Sequence, residues 1–222
     1  MKIHQRNYNR RFHPYMNSGD DSIQQKIKET IMKKIIGDDG DFGGNDKVSR
    51  IGNHIYFYSE VTTDSICKLN KEIFEASQEL KYISIDYEIE PPMLFIHINS
   101  LGGELEVTLG TYDIIRKSDI PITTIIEGQA ASAATLISIA AQHRYIRKNS
   151  SMLIHQLSGG MWGTFSEMED EMENTKEAME KLRNIYRERT KIPKKDLDEI
   201  LKHDRFFDST ICKKFGMVDK II

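Results

Sequence analysis

The sequence predicts an α/β fold, in which a sheet of short strands is layered against amphipathic helices. Short apolar runs that are typical of strands alternate with segments whose apolar residues recur every three or four positions. Such alternation is the pattern of layered α/β proteins. The chain has 222 residues, enough for one substantial core with an appendage.

The first 46 residues are predicted to form an arm outside the compact domain. Residues 1 to about 20 are polar and basic without a clear period, which is typical of a flexible arm or a removable leader. A short helix is predicted to follow and to end at the Gly/Asp-rich residues 37–44. Its apolar positions are Ile23, Ile27, Ile31 and Ile35. The compact domain is therefore expected over residues 47–222.

Within that domain the strands and helices alternate. Strands are predicted at residues 55–58, 93–98, 122–126 and 152–154, and helices at 64–80, 104–117, 132–142 and 164–190. The last helix has the clearest pattern, because its apolar residues follow steps of three and four and Thr164 with Glu167 forms a capping box. Those apolar residues are Phe165, Met168, Met172, Met179, Leu182 and Tyr186.

The bulk composition excludes several classes of protein. A formal net charge of -3 lacks the basic excess of a nucleic-acid binder. Cys67 and Cys212 lie far apart in no metal-type pair, so neither a disulfide framework nor a zinc site is indicated. No apolar run approaches the roughly 20 residues that a membrane-spanning helix needs. We expect a cytoplasmic protein without metal, cofactor, nucleic-acid or membrane partner.

A candidate nucleophile lies between a predicted strand and the helix that follows it. Ser132 sits among small residues in the segment 128–134, Gly-Gln-Ala-Ala-Ser-Ala-Ala. A serine hydroxyl is a weak nucleophile unless a turn presents it beside a base, and the first amides of a helix can donate to an oxyanion. Taken alone, such a serine is more typical of a helix cap or a packing residue.

His155 and Asp204 are the candidate base and its orienting carboxylate. His155 ends an apolar strand and has an acid–base range suited to proton transfer near neutral pH, although a structural histidine is the alternative. The other six histidines have no comparable setting. Asp204 stands just before two aromatic residues that would anchor it, and it could accept an imidazole N–H. On its own it could equally end a helix or form a salt bridge.

A glycine pair, Gly102 and Gly103, joins a predicted strand to a predicted helix. Paired glycines let backbone amides approach a substrate closely, which suits an oxyanion hole. The same pair could serve only as a tight turn.

Five segments resemble, in order, the motifs of the Clp protease proteolytic subunit (ClpP), a family of caseinolytic serine peptidases. They are residues 98–103, 111–113, 128–132, 154–156 and 204–206. The resemblance covers roughly residues 50 to 222 and is strongest from residue 93. It implies the ClpP/crotonase-like α/β superhelix, in which residues 164–190 form a protruding handle helix.

The resemblance also implies roles for individual residues. Ser132, His155 and Asp204 would form the catalytic triad, and the N–H groups of Gly103 and Ala133 would form the oxyanion hole. Substrate peptides would add as a strand to the segment before the handle, which comprises Ser158, Gly159, Gly160 and Met161.

Membership would further imply an assembly and a substrate class. The family forms heptameric rings, two of which stack as a homo-oligomeric tetradecamer around a chamber, and a Clp-type AAA+ unfoldase feeds polypeptide substrates into it. The chain would thus be a serine endopeptidase for unfolded proteins and peptides.

Several positions depart from the family pattern. Leu101 replaces the usual proline, and Lys202 and His203 replace residues that link ring assembly to activity. Residues 80–92 form an insertion. Polar residues occupy positions that are mostly apolar or aromatic where an unfoldase docks, namely His97, Lys117 and Glu127. The sequence therefore leaves open which unfoldase, if any, is the partner.

Three other functions compete with this interpretation. An inactive or assembly-modulating ring subunit would normally lack a triad residue. A Ser-Lys peptidase on a related fold would need a lysine base, for which Lys148 is conceivable. A crotonase-type acyl-CoA enzyme would share the fold and the oxyanion hole but would not explain the three triad residues together.

Overall fold

In the computed structural model, which describes residues 47–222, one eight-stranded sheet carries six helices. The predicted arm over residues 1–46 lies outside the described residues. In chain order the elements are β1 (Val48–Ile51), β2 (His54–Phe57), α1 (Thr63–Asp86), β3 (Leu94–Ser100), α2 (Leu105–Arg116), β4 (Ile122–Ala131), α3 (Ala133–Ala140), β5 (His143–Ile146), β6 (Ser151–Leu153), α4 (Phe165–Arg189), α5 (Lys194–Leu201), β7 (Phe206–Asp208), α6 (Ser209–Lys214) and β8 (Lys220–Ile221).

The sheet confirms the predicted α/β class. Its main path runs β1-β2-β3-β4-β5-β8, and β2, β3, β4, β5 and β8 are parallel while β1 pairs antiparallel with β2. Strand β4 has ten residues and pairs twice on the same side. Its first half pairs with β5, and its last three residues pair with β6, which pairs antiparallel with β7. The end of β4 therefore lies in a branch of the same sheet, formed with β6 and β7.

An irregularity between β3 and β4 marks this transition. Ile98 pairs with Ile126 and Ser100 pairs with Ala130, so β4 carries two more residues than β3 across the same interval. Gly128 lies at this point with φ +106°, and a Cβ there would come within 2.8 Å of Asn99 Oδ1. Glycine is required because other residues rarely adopt this conformation and the side chain has no room.

The core lies between the sheet and its helices. All eight residues of α3 are buried, as expected for a helix that is apolar on every side. Ile96 and Ile126 on the neighbouring strands are completely buried. Burial of each such side chain stabilises the folded state by about 1.5–3 kcal/mol. Ser132 therefore lies directly before the first residue of α3, the most deeply buried of the described helices.

The predicted helices differ from the observed ones mainly in α1. The helix predicted over 164–190 is α4, and its capping box between Thr164 and Glu167 is present. The predicted end of α1 at residue 80 was wrong, because the helix continues to Asp86. Its buried stripe extends to Ile83, so part of the insertion at residues 80–92 is helical.

Candidate active site

Ser132 stands at the sharp turn between β4 and α3. Its backbone has φ 53° and ψ -128°; among residues 47–222 only Ser132 and Glu88 combine a side chain with a positive φ. The Ser132 N–H donates to Leu153 O at 2.8 Å, and the Thr135 N–H donates to Ser132 O at 3.0 Å. These bonds hold the turn in a sparsely populated conformation that is typical of functional positions.

The branch of the sheet that the end of β4 forms with β6 and β7 brings three of the predicted residues together. Ala131 on β4 pairs with Leu153 on β6, which places His155 beside Ser132. Strand β7 pairs with β6, and Asp204 lies in the turn just before β7. His155 Nε2 is 2.8 Å from Ser132 Oγ, and His155 Nδ1 is 2.9 Å from Asp204 Oδ1. A hydroxyl, an imidazole and a carboxylate are thus connected in series.

The two contacts differ in their exposure to solvent. The His155 side chain is 23% exposed, whereas that of Asp204 is 79% exposed. An ion pair in such a setting contributes little to stability. The contact can nevertheless fix the orientation and the tautomer of the imidazole ring. A carboxylate that accepts a hydrogen bond from Nδ1–H keeps the hydrogen on Nδ1, which leaves Nε2 free to accept a proton.

The loop between β3 and α2 packs directly on the Ser132 turn. Gly102 has φ +92°, and a Cβ there would lie 2.5 Å from Ala131 O and 2.7 Å from Ser132 Cβ. The backbone nitrogen of Ala133 would be 3.0 Å away. Only glycine permits this approach, which brings the loop and the start of α3 together.

Val61 holds the same loop from its other side. Its N–H donates to Gly102 O at 2.8 Å, and its carbonyl accepts the Glu104 N–H at 2.9 Å. Gly103 has φ +148°, and a Cβ there would overlap the Val61 carbonyl oxygen. The Gly103 backbone is therefore fixed beside Ser132 by contacts on two sides.

A groove of about 460 Å³ passes over this arrangement. Its lining includes every residue predicted for the site except Asp204. Those residues are Gly103, Ser132, Ala133, His155, Ser158, Gly159, Gly160 and Met161. Residues 158–161 are exposed. Within the part of the chain that the structure describes, their backbone forms no hydrogen bond to another segment, which leaves its donors and acceptors available.

Sequence analysis missed two buried hydroxyl groups beneath the Ser132 turn. Thr135 Oγ1 donates to Ser132 O at 2.6 Å and lies 2.5 Å from the Tyr186 hydroxyl. Tyr186 belongs to α4 and is 1% exposed. Its position had been predicted only as apolar, and 51 residues separate it from Thr135, so no local sequence signal connects the two.

The polar residues that depart from the family pattern fall into separate regions. His97 is buried, with Nδ1 3.1 Å from Glu127 Oε1, and its Nε2 is 2.9 Å from His54 Nδ1. Glu127 also accepts hydrogen bonds from Tyr58 and Arg147. Burial is the main cause that lowers the pKa of both histidines.

The remaining departures lie elsewhere on the described surface. Lys117 follows the end of α2. Lys202 and His203 both contact Glu199, and Leu101 is 61% exposed.

Lys148, the alternative base, follows β5. Its backbone contacts Ser209 and Ile222, whereas the basic side chain that reaches the Ser132 hydroxyl is His155.

Among the helices of residues 47–222, none combines the length and the apolar composition of a membrane-spanning segment. The same residues contain no group of three or more histidine, cysteine or acidic side chains arranged to hold a metal ion.

The family model described as Clp protease matches residues 51–222, a range that contains every residue of the arrangement described above.

Proposed function

The chain belongs to the Clp protease family, and from this premise we propose that it is a serine endopeptidase with Ser132 as nucleophile, His155 as general base and Asp204 as the residue that orients His155. Family membership supports a peptidase function. The observation that carries these residue assignments is the continuous contact from Ser132 Oγ through His155 to Asp204, at 2.8 Å and 2.9 Å.

Acylation begins when Ser132 Oγ attacks the carbonyl carbon of the scissile peptide. His155 Nε2 accepts the hydroxyl proton, while the Asp204 carboxylate accepts a hydrogen bond from the Nδ1–H group and stabilises the imidazolium that forms. The tetrahedral intermediate then collapses, His155 returns the proton to the leaving amine, and the carbon–nitrogen bond breaks. An acyl-Ser132 ester and a free amine result.

Deacylation repeats the sequence with water as the nucleophile. His155 accepts a proton from water, the hydroxide adds to the ester carbon, and the second tetrahedral intermediate releases Ser132 Oγ with its proton restored. The products are a carboxylic acid and the original enzyme.

The N–H groups of Gly103 and Ala133 are proposed to stabilise both tetrahedral oxyanions. The contact of Gly102 with the Ser132 turn, and the contacts of Val61 with the glycine loop, hold the two backbones rigidly beside each other. Donors fixed before the reaction stabilise developing charge without a reorganisation cost, and removing one typically lowers kcat by about 10²- to 10³-fold.

Polypeptide substrates are proposed to bind as an added strand along Ser158, Gly159, Gly160 and Met161. This segment lines the groove next to His155, and its backbone groups form no hydrogen bond to another segment within residues 47–222. Strand addition uses mainly backbone hydrogen bonds and therefore imposes little sequence selectivity. Unfolded chains and peptides fit this mode because their backbones are accessible.

The proposal includes a homo-oligomeric assembly of heptameric rings, stacked as a tetradecamer and fed by a Clp-type AAA+ unfoldase in the cytoplasm. The support on this chain is a set of exposed apolar residues just before α4 and in its first turns, comprising Trp162, Phe165, Met168 and Met172. Exposed apolar patches mark interaction surfaces. A native mass measurement should give fourteen chains, and a monomer at working concentration would contradict the assembly.

A fluorophosphonate probe tests the chemistry directly. It should label the wild type at Ser132 and not label Ser132→Ala, and both Ser132→Ala and His155→Ala should lose peptide hydrolysis while keeping the wild-type assembly. Ser138→Ala is a matched control, because Ser138 lies in α3, the helix that begins directly after Ser132, and does not line the groove. Labelling that survives in Ser132→Ala would refute the nucleophile.

The same purified protein separates the competing functions. An inactive ring subunit would assemble but show neither labelling nor hydrolysis. A Ser-Lys peptidase would lose activity in Lys148→Ala and keep it in His155→Ala, the reverse of our expectation. Acyl-CoA turnover without peptide cleavage would indicate a crotonase-type enzyme.

A further inference from the structure

The two buried hydroxyl groups beneath Ser132 form a connection between α4 and the start of α3. Thr135 and Tyr186 are both almost completely buried. Thr135 Oγ1 lies 2.6 Å from Ser132 O and 2.5 Å from Tyr186 OH. Removing one of two buried hydroxyls that are hydrogen-bonded to each other is costly, because the other is left without a hydrogen-bond partner and water cannot replace it.

The direction of this connection follows from counting hydrogens. The Thr135 hydroxyl has one hydrogen, and Ser132 O has none, so Thr135 donates to Ser132 O. The Tyr186 hydroxyl must then donate to Thr135 Oγ1. Burial raises the pKa of the Tyr186 phenol, which keeps this donor protonated.

The connection ends on the peptide group that carries a proposed oxyanion donor. The Ser132 carbonyl and the Ala133 N–H belong to one planar unit, so orienting the carbonyl orients the N–H. That carbonyl accepts two hydrogen bonds, from the Thr135 N–H at 3.0 Å and from the Thr135 hydroxyl at 2.6 Å. Hydrogen bonds in a chain polarise one another, by about 10–30% per bond.

We propose that Thr135 and Tyr186 are positioning residues that hold and polarise the Ser132–Ala133 peptide, so that the Ala133 N–H binds the oxyanion more strongly. This inference rests on the proposed peptidase function. Tyr186 and Leu182, both on α4, also line the groove. The helix that forms one wall of the substrate groove therefore also supports the oxyanion hole from beneath.

Two conservative substitutions test the inference. Thr135→Val keeps the side-chain shape and removes the hydroxyl, and it should lower kcat by about 10- to 100-fold, less than the loss of a whole oxyanion donor. Tyr186→Phe removes only the hydroxyl that donates to Thr135 Oγ1, and it should lower kcat by about 3- to 10-fold. KM should stay within about twofold of wild type, because ground-state binding does not use the oxyanion hole. Thr135→Ser keeps the donor and should restore kcat to within about threefold.

A peptide boronate provides the second readout, because its tetrahedral adduct with Ser132 places an oxygen in the oxyanion hole. Boronate affinity should fall with kcat in Thr135→Val and Tyr186→Phe, while affinity for an uncleavable substrate peptide should not change. Active sites are titrated so that a partly unfolded sample does not imitate a loss of kcat.

A purely structural role would change the melting temperature and leave kcat per active site and boronate affinity at wild-type values, which would overturn the inference alone. A wild type that is neither labelled at Ser132 nor hydrolytic would overturn the proposed function together with this inference.

Discussion

At the scale of single residues, the Ser132 backbone shows how the site is held. The positive φ of Ser132 is a conformation that costs a non-glycine residue about 1–3 kcal/mol, and it persists only where the surrounding structure fixes it. The bond from Ser132 N–H to Leu153 O and the close approach of Gly102 supply that constraint. The turn directs the hydroxyl toward His155 because the backbone on both sides of Ser132 is anchored.

Gly102→Ala is predicted to lower kcat/KM strongly, by about 100-fold or more if one oxyanion donor is displaced. The added Cβ would lie 2.5 Å from Ala131 O and 2.7 Å from Ser132 Cβ, so the loop or the turn must move. Steady-state hydrolysis of a fluorogenic peptide measures the effect.

Gly110→Ala is the matched control, because a Cβ at Gly110 on α2 meets nothing within 4 Å. It should retain wild-type activity and gain helix stability of about 1 kcal/mol. Equal activity of Gly102→Ala and Gly110→Ala would show that the close approach of the loop is unnecessary.

The candidate site could be predicted from sequence only in part at this scale. The types and order of Ser132, His155 and Asp204 stand in recognisable motifs, so they could be selected before the structure. Their contacts depend on the pairing of β4, β6 and β7, and two of these strands have three residues each. The Thr135–Tyr186 pair is long-range and leaves no pattern in the sequence.

At the scale of elements, predictions succeeded where a period persisted. Helix α4 has 25 residues, repeats apolar residues from Phe165 to Tyr186 and begins at a capping box, so its extent was evident from the sequence. Strand β4 was predicted only to Ile126 because Glu127 and Gly128 interrupt the apolar run, whereas pairing with β6 continues the strand to Ala131. Strands of two to four residues, such as β5 and β8, contain too few positions for a period.

The segment at residues 158–161 gives a prediction at this scale. Gly160→Pro should lower kcat/KM for peptides by about tenfold or more, because proline removes a backbone donor needed for strand addition. Its melting temperature should change little, since the backbone there supports no hydrogen bond to the rest of the described chain.

Gly160→Ala keeps the N–H group, and its Cβ would meet nothing within 4 Å. This control should retain most of the wild-type kcat/KM. If Gly160→Pro is as active as Gly160→Ala, substrate does not pair with this segment.

At the scale of the whole molecule, the buried histidines connect stability to pH. Burial lowers the pKa of His54 and of His97 from the ordinary value of 6.5. The folded state therefore binds fewer protons than the unfolded state as the pH falls below 6.5. Their contribution to stability is present above that pH and is lost as the pH falls through the lowered folded pKa values.

The urea concentration at the midpoint of unfolding is accordingly predicted to be lower at pH 5.5 than at pH 7.5. His97→Phe keeps a ring that can stack on Tyr56 and should reduce this pH dependence. His143→Gln is the control, because His143 is exposed on β5. If His97→Phe and wild type lose stability in parallel, other groups are responsible for the pH dependence.

The two additional residues of β4 opposite β3 determine how far the strand projects. Because two is an even number, the alternation of inward and outward side chains is the same before and after the irregularity. Deleting Gly128 and Gln129 would preserve that alternation yet withdraw Ser132 by about 6.6 Å, beyond contact with His155. Deleting one residue would also reverse which side chains face inward. A two-residue deletion is therefore excluded by the position of Ser132 alone, whereas a one-residue deletion is excluded by that position and by the direction of the side chains.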